Sequence, residues 1–465
     1  MKQKSKIGLL PLFLELYDRV LDAEKSSEIR AFIGVIDQAY QARGVETVPA
    51  SACRTADEFA AAVNRFEAEG VDAIVTLHLA YSPSLQAVDA LAGTELPLIM
   101  LDTTPDVSFG FDQSEDRILF NHGIHGVQDL CNLLIRRGKP FVLEAGHWEE
   151  SDVIDRTCSS LKGFCAADAF HHQRVGLLGT PFEGMGDFAV PFELLEKRFG
   201  IKVVPTDSET LAKQMPATDS DAVRAEAEAD LERFDSNEFS AEELAKSEAA
   251  GLALRQWIEQ ENLTAITMNF NDITGAPGLP VVPFLEASKA MARGIGYGGE
   301  GDVLTAAFCG ALAQAVPATT FTEMFCPDWS GNRIFMSHMG EMNIDLTAQK
   351  PVLGLRPYPF SEADEPVVAT GCLVAGEALL LNLAPGPDDS FTLVTIPVEV
   401  CETGGDETIQ DALRGWITPR MEISECLERY SRVGGTHHSV LCYDVDRRFA
   451  QALAQAMGWR LEWID

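Results

Sequence analysis

Between residue 6 and about residue 180 the chain alternates short apolar runs with longer segments whose apolar residues recur at helical spacing. KIGLLPLFLEL (6–16), VDAIVTLHLA (71–80), PLIMLDTT (97–104) and PFVLEAGHW (140–148) read as strands, with a shorter one in ETVPA (46–50). An intervening helix ends near Gly44, and TADEFAAAVNRFEAEG (55–70) is a second that stops at Gly70. SPSLQAVDALAG (82–93) and HGVQDLCNLLIRRG (125–138) supply two more. Strands this apolar are buried on both faces, so the pattern predicts a parallel sheet with helices on either side. A similar unit begins near residue 172, with strands in RVGLLG (174–179), IKVVPTD (201–207) and LTAITMNF (263–270) and a helix in FAVPFELLEKRFG (188–200). The Ala- and Glu-rich stretch 218–262 reads as long exposed helices. After about residue 317 the pattern becomes β-like, in TTFTEMF (319–325), RIFMSHM (333–339), EPVVATGCLVAGEALLLNLA (365–384) and SFTLVTIPVEV (390–400). A helix returns near the end, in DRRFAQALAQAMG (446–458). The expected architecture is α/β: two open doubly wound domains, 1–171 and 172–316, followed by a β-rich domain, 317–465.

Charge narrows the function. Acidic residues outnumber basic ones 71 to 36, for a net charge of -35. A surface this negative repels nucleic acid and anionic lipid and tolerates cations. The opening MKQKSKIGLLPLFLELYD has lysines before an apolar run, but Pro11 and Glu15 interrupt it and no small-residue cleavage site follows. It predicts a buried first strand rather than a signal peptide. No run approaches the roughly 18 apolar residues of a membrane span, so a cytoplasmic protein with no membrane or nucleic-acid partner is expected. The 10 cysteines form no CxxC and read as reduced, mostly buried thiols.

Four short stretches could carry chemistry. GIGYGGEGD (294–302) superficially suggests a dinucleotide loop, but that fingerprint needs a strand just before it, and here the helix VVPFLEASKAMA precedes. Its glycines let backbone approach a ligand around Glu300, and Asp302 is placed to cap the next helix. A plain capped turn explains the same stretch. TEMF puts Glu323 in an apolar β segment, where a carboxylate is costly to bury unpaired. FMSHMG flanks His338 with apolar residues, as a ligand or as a hydrogen-bonded core histidine. GGTHHSV holds His437 and His438. Two glutamates with one or two histidines are a mixed oxygen and nitrogen set, suited to Mn²⁺, with Co²⁺ or Mg²⁺ as competitors. SVLCYDV is strand-like, so 437 and 438 should point to opposite faces and should not both reach one ion.

At these residues the chain resembles the L-arabinose isomerase family. The carriers are GYGGEGDVLTAA (296–307), TEMF (322–325), SHM (337–339) and GGTHH (434–438), supported by LHLAYSP (77–83), NHGIHG (121–126), EAGHW (144–148), NFND (269–272) and the Leu-Pro pair at 279–280. The resemblance implies a Mn²⁺ held by Glu300, Glu323, His338 and His438, in an aldose–ketose isomerase of two α/β domains and a barrel-like C-terminal domain. It implies a homo-oligomer, typically a hexamer, with a free sugar such as L-arabinose as substrate. Such an enzyme moves a proton between C1 and C2 through an enediol, with a glutamate carrying the proton, and Glu300 and Glu323 are the implied catalytic pair. Substrate contacts are implied at His125, Phe270, Leu16 and Met185. With His438 as the ligand, His437 is expected to pack or hydrogen-bond on the other face, or to lie beside the site. The chain departs from the family where glutamines contact sugar: FLELYD (13–18) has Leu14 and Glu15 ahead of Leu16, and His122 replaces the second glutamine. PFEGMGDFAV (181–190) differs around Met185 and carries an insertion, and the family's basic and aromatic C-terminal extension is not found after Asp465. A metal-dependent epimerase or lyase of related chemistry, and a non-catalytic sugar-binding protein, are the competing readings.

Overall fold

In the computed structural model, which describes residues 5–405 and 407–465, the apolar strands Lys6–Leu12, Ala73–His78 and Leu98–Asp102 are buried on both faces as their composition requires, while the two at the sheet edges are partly exposed. β1 (Lys6–Leu12), β2 (Glu46–Pro49), β3 (Ala73–His78), β4 (Leu98–Asp102) and β5 (Val142–Ala145) form a parallel sheet in the order β2-β1-β3-β4-β5. Alternate residues feed two cores. Ile7, Leu9, Ala73, Val75, Leu77, Ile99 and Leu101 face one side, with Ile29, Phe32 and Ile36 of the helix Ala23–Gln41. Leu10, Leu12, Ile74, Leu98 and Met100 face the other, with Phe59, Val63 and Phe66 of the helix Ala56–Ala68. That helix starts where Thr55 and Glu58 form a capping box. The helix Arg447–Met457 belongs to this first unit, which otherwise ends at Cys165. Ala452 lies in its core, and a Cβ added at Gly163 would come within 2.5 Å of the Phe449 carbonyl oxygen. Hydropathy showed the helix but not which core takes it.

The second unit, Ala166–Asp446 with Gly458–Asp465, continues with β6 (Arg174–Leu178), β7 (Lys202–Thr206), the two-residue β8 (Asp235–Ser236), β9 (Ala265–Met268) and β10 (Gly296–Gly299). Four of these make a parallel sheet in the order β10-β9-β6-β7. Two sequence expectations change here. The helix Ala241–Gln260 is not an exposed one: Leu244, Ala249, Ala250, Ala253, Leu254, Trp257 and Ile258 are buried, because its alanines give it a small apolar face that its glutamates mask in the composition. The glycine cluster also contains its own strand, β10, ahead of the turn at Glu300–Gly301 and the helix Val303–Ala315. The glycines serve close packing, since a Cβ at Gly296 would lie 2.2 Å from the Gly310 nitrogen.

The remaining strands are β11 (Thr319–Asp328), β12 (Arg333–Ser337), β13 (Val352–Leu355), β14 (Val367–Thr370), β15 (Gly376–Pro385), β16 (Phe391–Val400), β17 (Gly415–Pro419), β18 (His438–Tyr443) and β19 (Arg460–Trp463). Six of them, β15-β18-β11-β12-β17-β16, close into a barrel through the pairing of β15 with β16, and β19 adds to β16. Closure leaves no free edge among those six strands. β8, β13 and β14 form a separate three-stranded sheet that the sequence pattern did not reveal. A further helix, Ile423–Arg432, packs Ile423, Cys426 and Tyr430 into the barrel core. The 10 cysteines are free thiols, with Cys53, Cys309, Cys372, Cys426 and Cys442 buried and Cys326 exposed. Among the described residues no helix is long and apolar enough to cross a membrane.

Candidate functional site

The loops after β6, β9 and β10 converge at the carboxyl ends of their sheet, where ligands bind in open α/β folds. Asn269 Nδ2 donates to the Thr180 carbonyl (2.9 Å), and the Phe182 amide donates to the Glu300 carbonyl (2.9 Å). Glu300 holds φ of 58°, a left-handed conformation uncommon outside glycine, and its side chain is buried. Such local strain is maintained where the surrounding contacts over-determine it. Asp302 caps the following helix as expected, its Oδ1 accepting from the Thr305 amide (2.8 Å). Its Oδ2 does something the sequence did not show: it takes His438 Nδ1 at 2.9 Å.

The barrel supplies the other groups. Glu323 on β11 lies directly opposite Ser337 of β12 and His438 of β18, so three adjacent strands bring Glu323, His338 and His438 together. A ligand atom from each lies within 4.8 Å of the others, and the same holds for Glu300, His437 and His438. His438 Nε2 is 3.0 Å from Glu300 Oε2, and His338 Nε2 is 3.9 Å from Glu323 Oε2, too long for a hydrogen bond. His338 is fixed from behind by Glu341, whose Oε2 accepts from Nδ1 (2.8 Å) and from the Gly340 amide (2.7 Å), while Oε1 accepts from the Tyr297 hydroxyl. Glu341 is 1% exposed and was missed in the sequence, although its position three residues after His338 in HMGE was visible.

Burial and charge oppose each other here. Burial pushes the Glu323 carboxyl up, only partly offset by His338 and His438. Burial also pushes Glu300 up, but hydrogen bonds from His437 and His438 outweigh it and hold the carboxyl well below the usual range. Burial disfavours charge on His438, yet Asp302 and Glu300 push its pKa up to about 10. His338 is raised in the same way, against burial, by Glu341.

His437 does not turn to the opposite face. β18 begins only at His438, so strand alternation does not govern residue 437. Asp187 takes both its amide (3.0 Å) and its Nδ1 (2.6 Å), leaving Nε2 3.5 Å from Glu300 Oε2 and its ring 4.1 Å from that of His438. Asp187 and Phe188, which stacks on His438 at 5.3 Å and 15°, come from the segment around Met185 that departs from the family pattern. Sequence reasoning marked that segment as different but did not identify these two residues.

Met185 is half-buried on the same loop, its amide 3.4 Å from the Phe182 carbonyl. Phe270 opens the turn after β9 and meets the rings of Phe182 (5.7 Å), Tyr358 (5.7 Å) and Phe360 (6.3 Å). Leu16 and His125 belong to the first unit, both exposed. There the Tyr17 hydroxyl meets His122 Nε2 at 2.8 Å, and the His122 and His125 rings lie 5.6 Å apart.

The side chains of the second unit fit a divalent cation. His338 Nε2 is buried and has no hydrogen-bond partner among the described residues, and with Nδ1 donating to Glu341 it can offer a lone pair. A Cβ added at Gly299 would lie 2.9 Å from that atom and 3.2 Å from His438 Nε2, so glycine keeps open the space both nitrogens face. Each imidazole is backed by a carboxylate, Asp302 or Glu341, the support that orients metal-binding histidines.

The L-arabinose isomerase central-domain family matches residues 195–316, and the L-arabinose isomerase C-terminal-domain family matches residues 318–460. L-arabinose isomerase from Halalkalibacterium halodurans is 26% identical over 384 residues, 80% of this chain and 76% of that protein. L-arabinose isomerase from Nocardioides sp. is 24% identical over 417 residues, 85% of this chain and 80% of that protein. A solved periplasmic solute-binding protein from Actinobacillus succinogenes with bound D-allose matches 67% of this chain and 92% of its own at 14% identity, with a TM-score of 0.17. The two domain matches, adjoining and in order, together with the curated relatives, place the chain as an isomerase of the L-arabinose isomerase family.

Proposed function

We propose that this protein is a divalent-metal-dependent aldose–ketose isomerase acting on a free pentose or hexose, with L-arabinose and L-ribulose as the first pair to test. The observation that carries the proposal is a pair of overlapping groups, Glu323–His338–His438 and Glu300–His437–His438, which share His438 and include the His338 Nε2 that has no hydrogen-bond partner among the described residues. Glu300, Glu323, His338 and His438 would hold the cation, Mn²⁺ being the first choice for a mixed oxygen and nitrogen set. When bound, a divalent cation supplies Lewis-acid polarisation of the sugar's carbonyl and neighbouring hydroxyl oxygens.

The two glutamates divide the remaining work. Glu323, whose carboxyl burial raises, is the group to carry the proton between C1 and C2 through an enediol. Glu300, held ionised by His437 and His438, keeps a fixed negative charge in place. Asp302 and Glu341 hold the imidazoles so that neither rotates away. A cytoplasmic homo-oligomer, a hexamer by resemblance, belongs to the same proposal; sedimentation of the purified protein tests the oligomer and cell fractionation the location.

The test is to strip the purified protein of metal, return Mn²⁺, Co²⁺ or Mg²⁺ singly, and follow ketose formation from a panel of aldoses in deuterated water. Ketose formation that vanishes with the metal and returns with Mn²⁺ is expected. Full activity after complete metal removal would overturn the proposal. A product with its carbonyl still at C1 would favour an epimerase, and cleavage of the carbon chain a lyase.

A further inference from the structure

Tyr358 presents a second unpartnered polar atom beside this centre. The residue is 5% exposed, and its hydroxyl has no hydrogen-bond partner among the described residues. A buried hydroxyl without a partner is costly, so such a group is usually completed by water or by a ligand. Its surroundings favour a ligand with apolar faces and hydroxyl edges. Tyr358 packs against Phe270 (5.7 Å), Phe284 (5.1 Å) and Phe360 (5.4 Å). Phe270 meets Phe182, whose amide holds the Glu300 carbonyl. On the other side a Cβ added at Gly340 would come within 3.0 Å of the Phe284 ring, and the Gly340 amide holds the Glu341 carboxylate behind His338. The tyrosine is thus linked through one layer of packing to both halves of the metal-binding set. Burial pushes its pKa up, and Glu341 and Glu300 push it further, so the group stays a donor.

We infer that Tyr358 is a specificity-determining residue: its hydroxyl donates a hydrogen bond to one hydroxyl of the sugar, on the part of the chain beyond the two carbons that react. The inference rests on the isomerase proposal for its substrate class. Phe270 and Phe360 supply the apolar wall, and Tyr358 supplies its polar point.

The test compares the metal-loaded parent with Tyr358→Phe in two assays. Calorimetric titration with arabinitol, ribitol and galactitol reads binding without turnover, and kinetics on the aldoses that react, with their monodeoxy analogues, reads kcat and KM separately. The expected result is a polyol affinity about ten- to a hundredfold weaker in the variant, a melting temperature unchanged or raised, and a rise in KM larger than any fall in kcat. One deoxy analogue should be handled equally by parent and variant. Equal polyol affinity in the two proteins, a parent that binds no polyol, or an equal loss on every deoxy analogue would overturn the inference. Weaker polyol binding in the variant without ketose formation by the parent would uphold Tyr358 while refuting the isomerase proposal.

Discussion

Two buried clusters in the second unit look alike as sets of residues and behave differently. One is the set around His438 that we propose holds a metal ion. The other gathers Glu226, Asp230 and Glu248, whose carboxylate oxygens also lie within 4.8 Å of one another. The second already contains its cation. Lys289 Nζ donates to Glu226 (2.7 Å), Asp230 (2.6 Å) and Glu248 (3.1 Å), which uses all three of its protons. Arg255 bridges Glu226 and Glu286, and Arg293 also reaches Glu286. Four carboxylates face three cations, and burial first, then Asp230, push the Glu248 carboxyl up to about 8 against the pull of Lys289. Among the described residues, the first cluster has no lysine or arginine among these partners and leaves a buried imidazole nitrogen without a hydrogen-bond partner. Nearby acids alone do not make a metal site, and neither does one unpaired atom, since Glu248 Oε1 also lacks a hydrogen-bond partner among the described residues; the resident Lys289 is what separates the two clusters.

The comparison can be broken most sharply at its two centres. Replacing His438 with Ala should remove bound metal, measured by elemental analysis, and lower activity by about a thousandfold, several kcal/mol of lost transition-state stabilisation. Metal retained at full occupancy would remove His438 from the ligand set. Lys289→Met should do the opposite: activity per folded molecule is kept, but urea unfolding should show a loss of about 3–5 kcal/mol, because buried carboxylates lose their partner. If it instead lost metal with unchanged stability, the two clusters would not be independent.

Acid acts on Glu300 as well as on the salt-bridged cluster, so the latter is isolated by comparing a Glu226 variant with the parent. Burial pushes Glu226 up, but Arg255 and Lys289 outweigh it and leave its pKa at about 2, below the ordinary value of 4.5. A carboxyl depressed on folding stabilises the folded state above its unfolded pKa, and that stability is lost as pH falls toward the folded value. Glu226→Gln should therefore be less stable than the parent by about 3 kcal/mol near pH 7. The gap should narrow steadily between pH 5 and pH 3. A gap that widened with acid would reverse the assignment.

The smallest effects separate the ligands from their supports. Glu341→Gln keeps the size of the side chain but weakens the hold on His338, and metal affinity measured by competition with a chelator should fall about ten- to a hundredfold. His437→Ala should keep its metal and lose less than either. Equal metal loss from His437→Ala and His438→Ala would make His437 a ligand through its contact with Glu300.

Much of this was legible along the chain. Apolar runs buried on both faces marked β1, β3 and β4, and the change of pattern after residue 317 marked the barrel strands. Glu323 stood out because a carboxylate in an apolar run is costly to bury unpaired, Glu300, His338 and the His437–His438 pair were candidates beside it, and the resemblance to the L-arabinose isomerase family singled out His438. The supports were not legible in the same way. Glu341 and Asp302 sit near His338 and Glu300 in sequence, but only the folded chain shows which imidazole each one holds. Asp187 reaches His437 across 250 residues, a contact no local pattern encodes.

What the sequence determined by itself was the class of most segments and the candidacy of Glu300, Glu323, His338 and the His437–His438 pair, because hydrophobic periodicity and the cost of burying charge are local properties; the choice of His438 within that pair came from the family resemblance. Tertiary structure decided the rest. It assigned the helix Arg447–Met457 to the first unit, turned the masked apolar face of Ala241–Gln260 inward, and placed His437 beside Glu300 instead of across the strand. It also filled one acidic cluster with Lys289 and, among the described residues, left an imidazole nitrogen of the other without a hydrogen-bond partner. The physical reason is the same in each case: pairing across long sequence separations sets which charges meet, and that cannot be read from the spacing of residues along one chain.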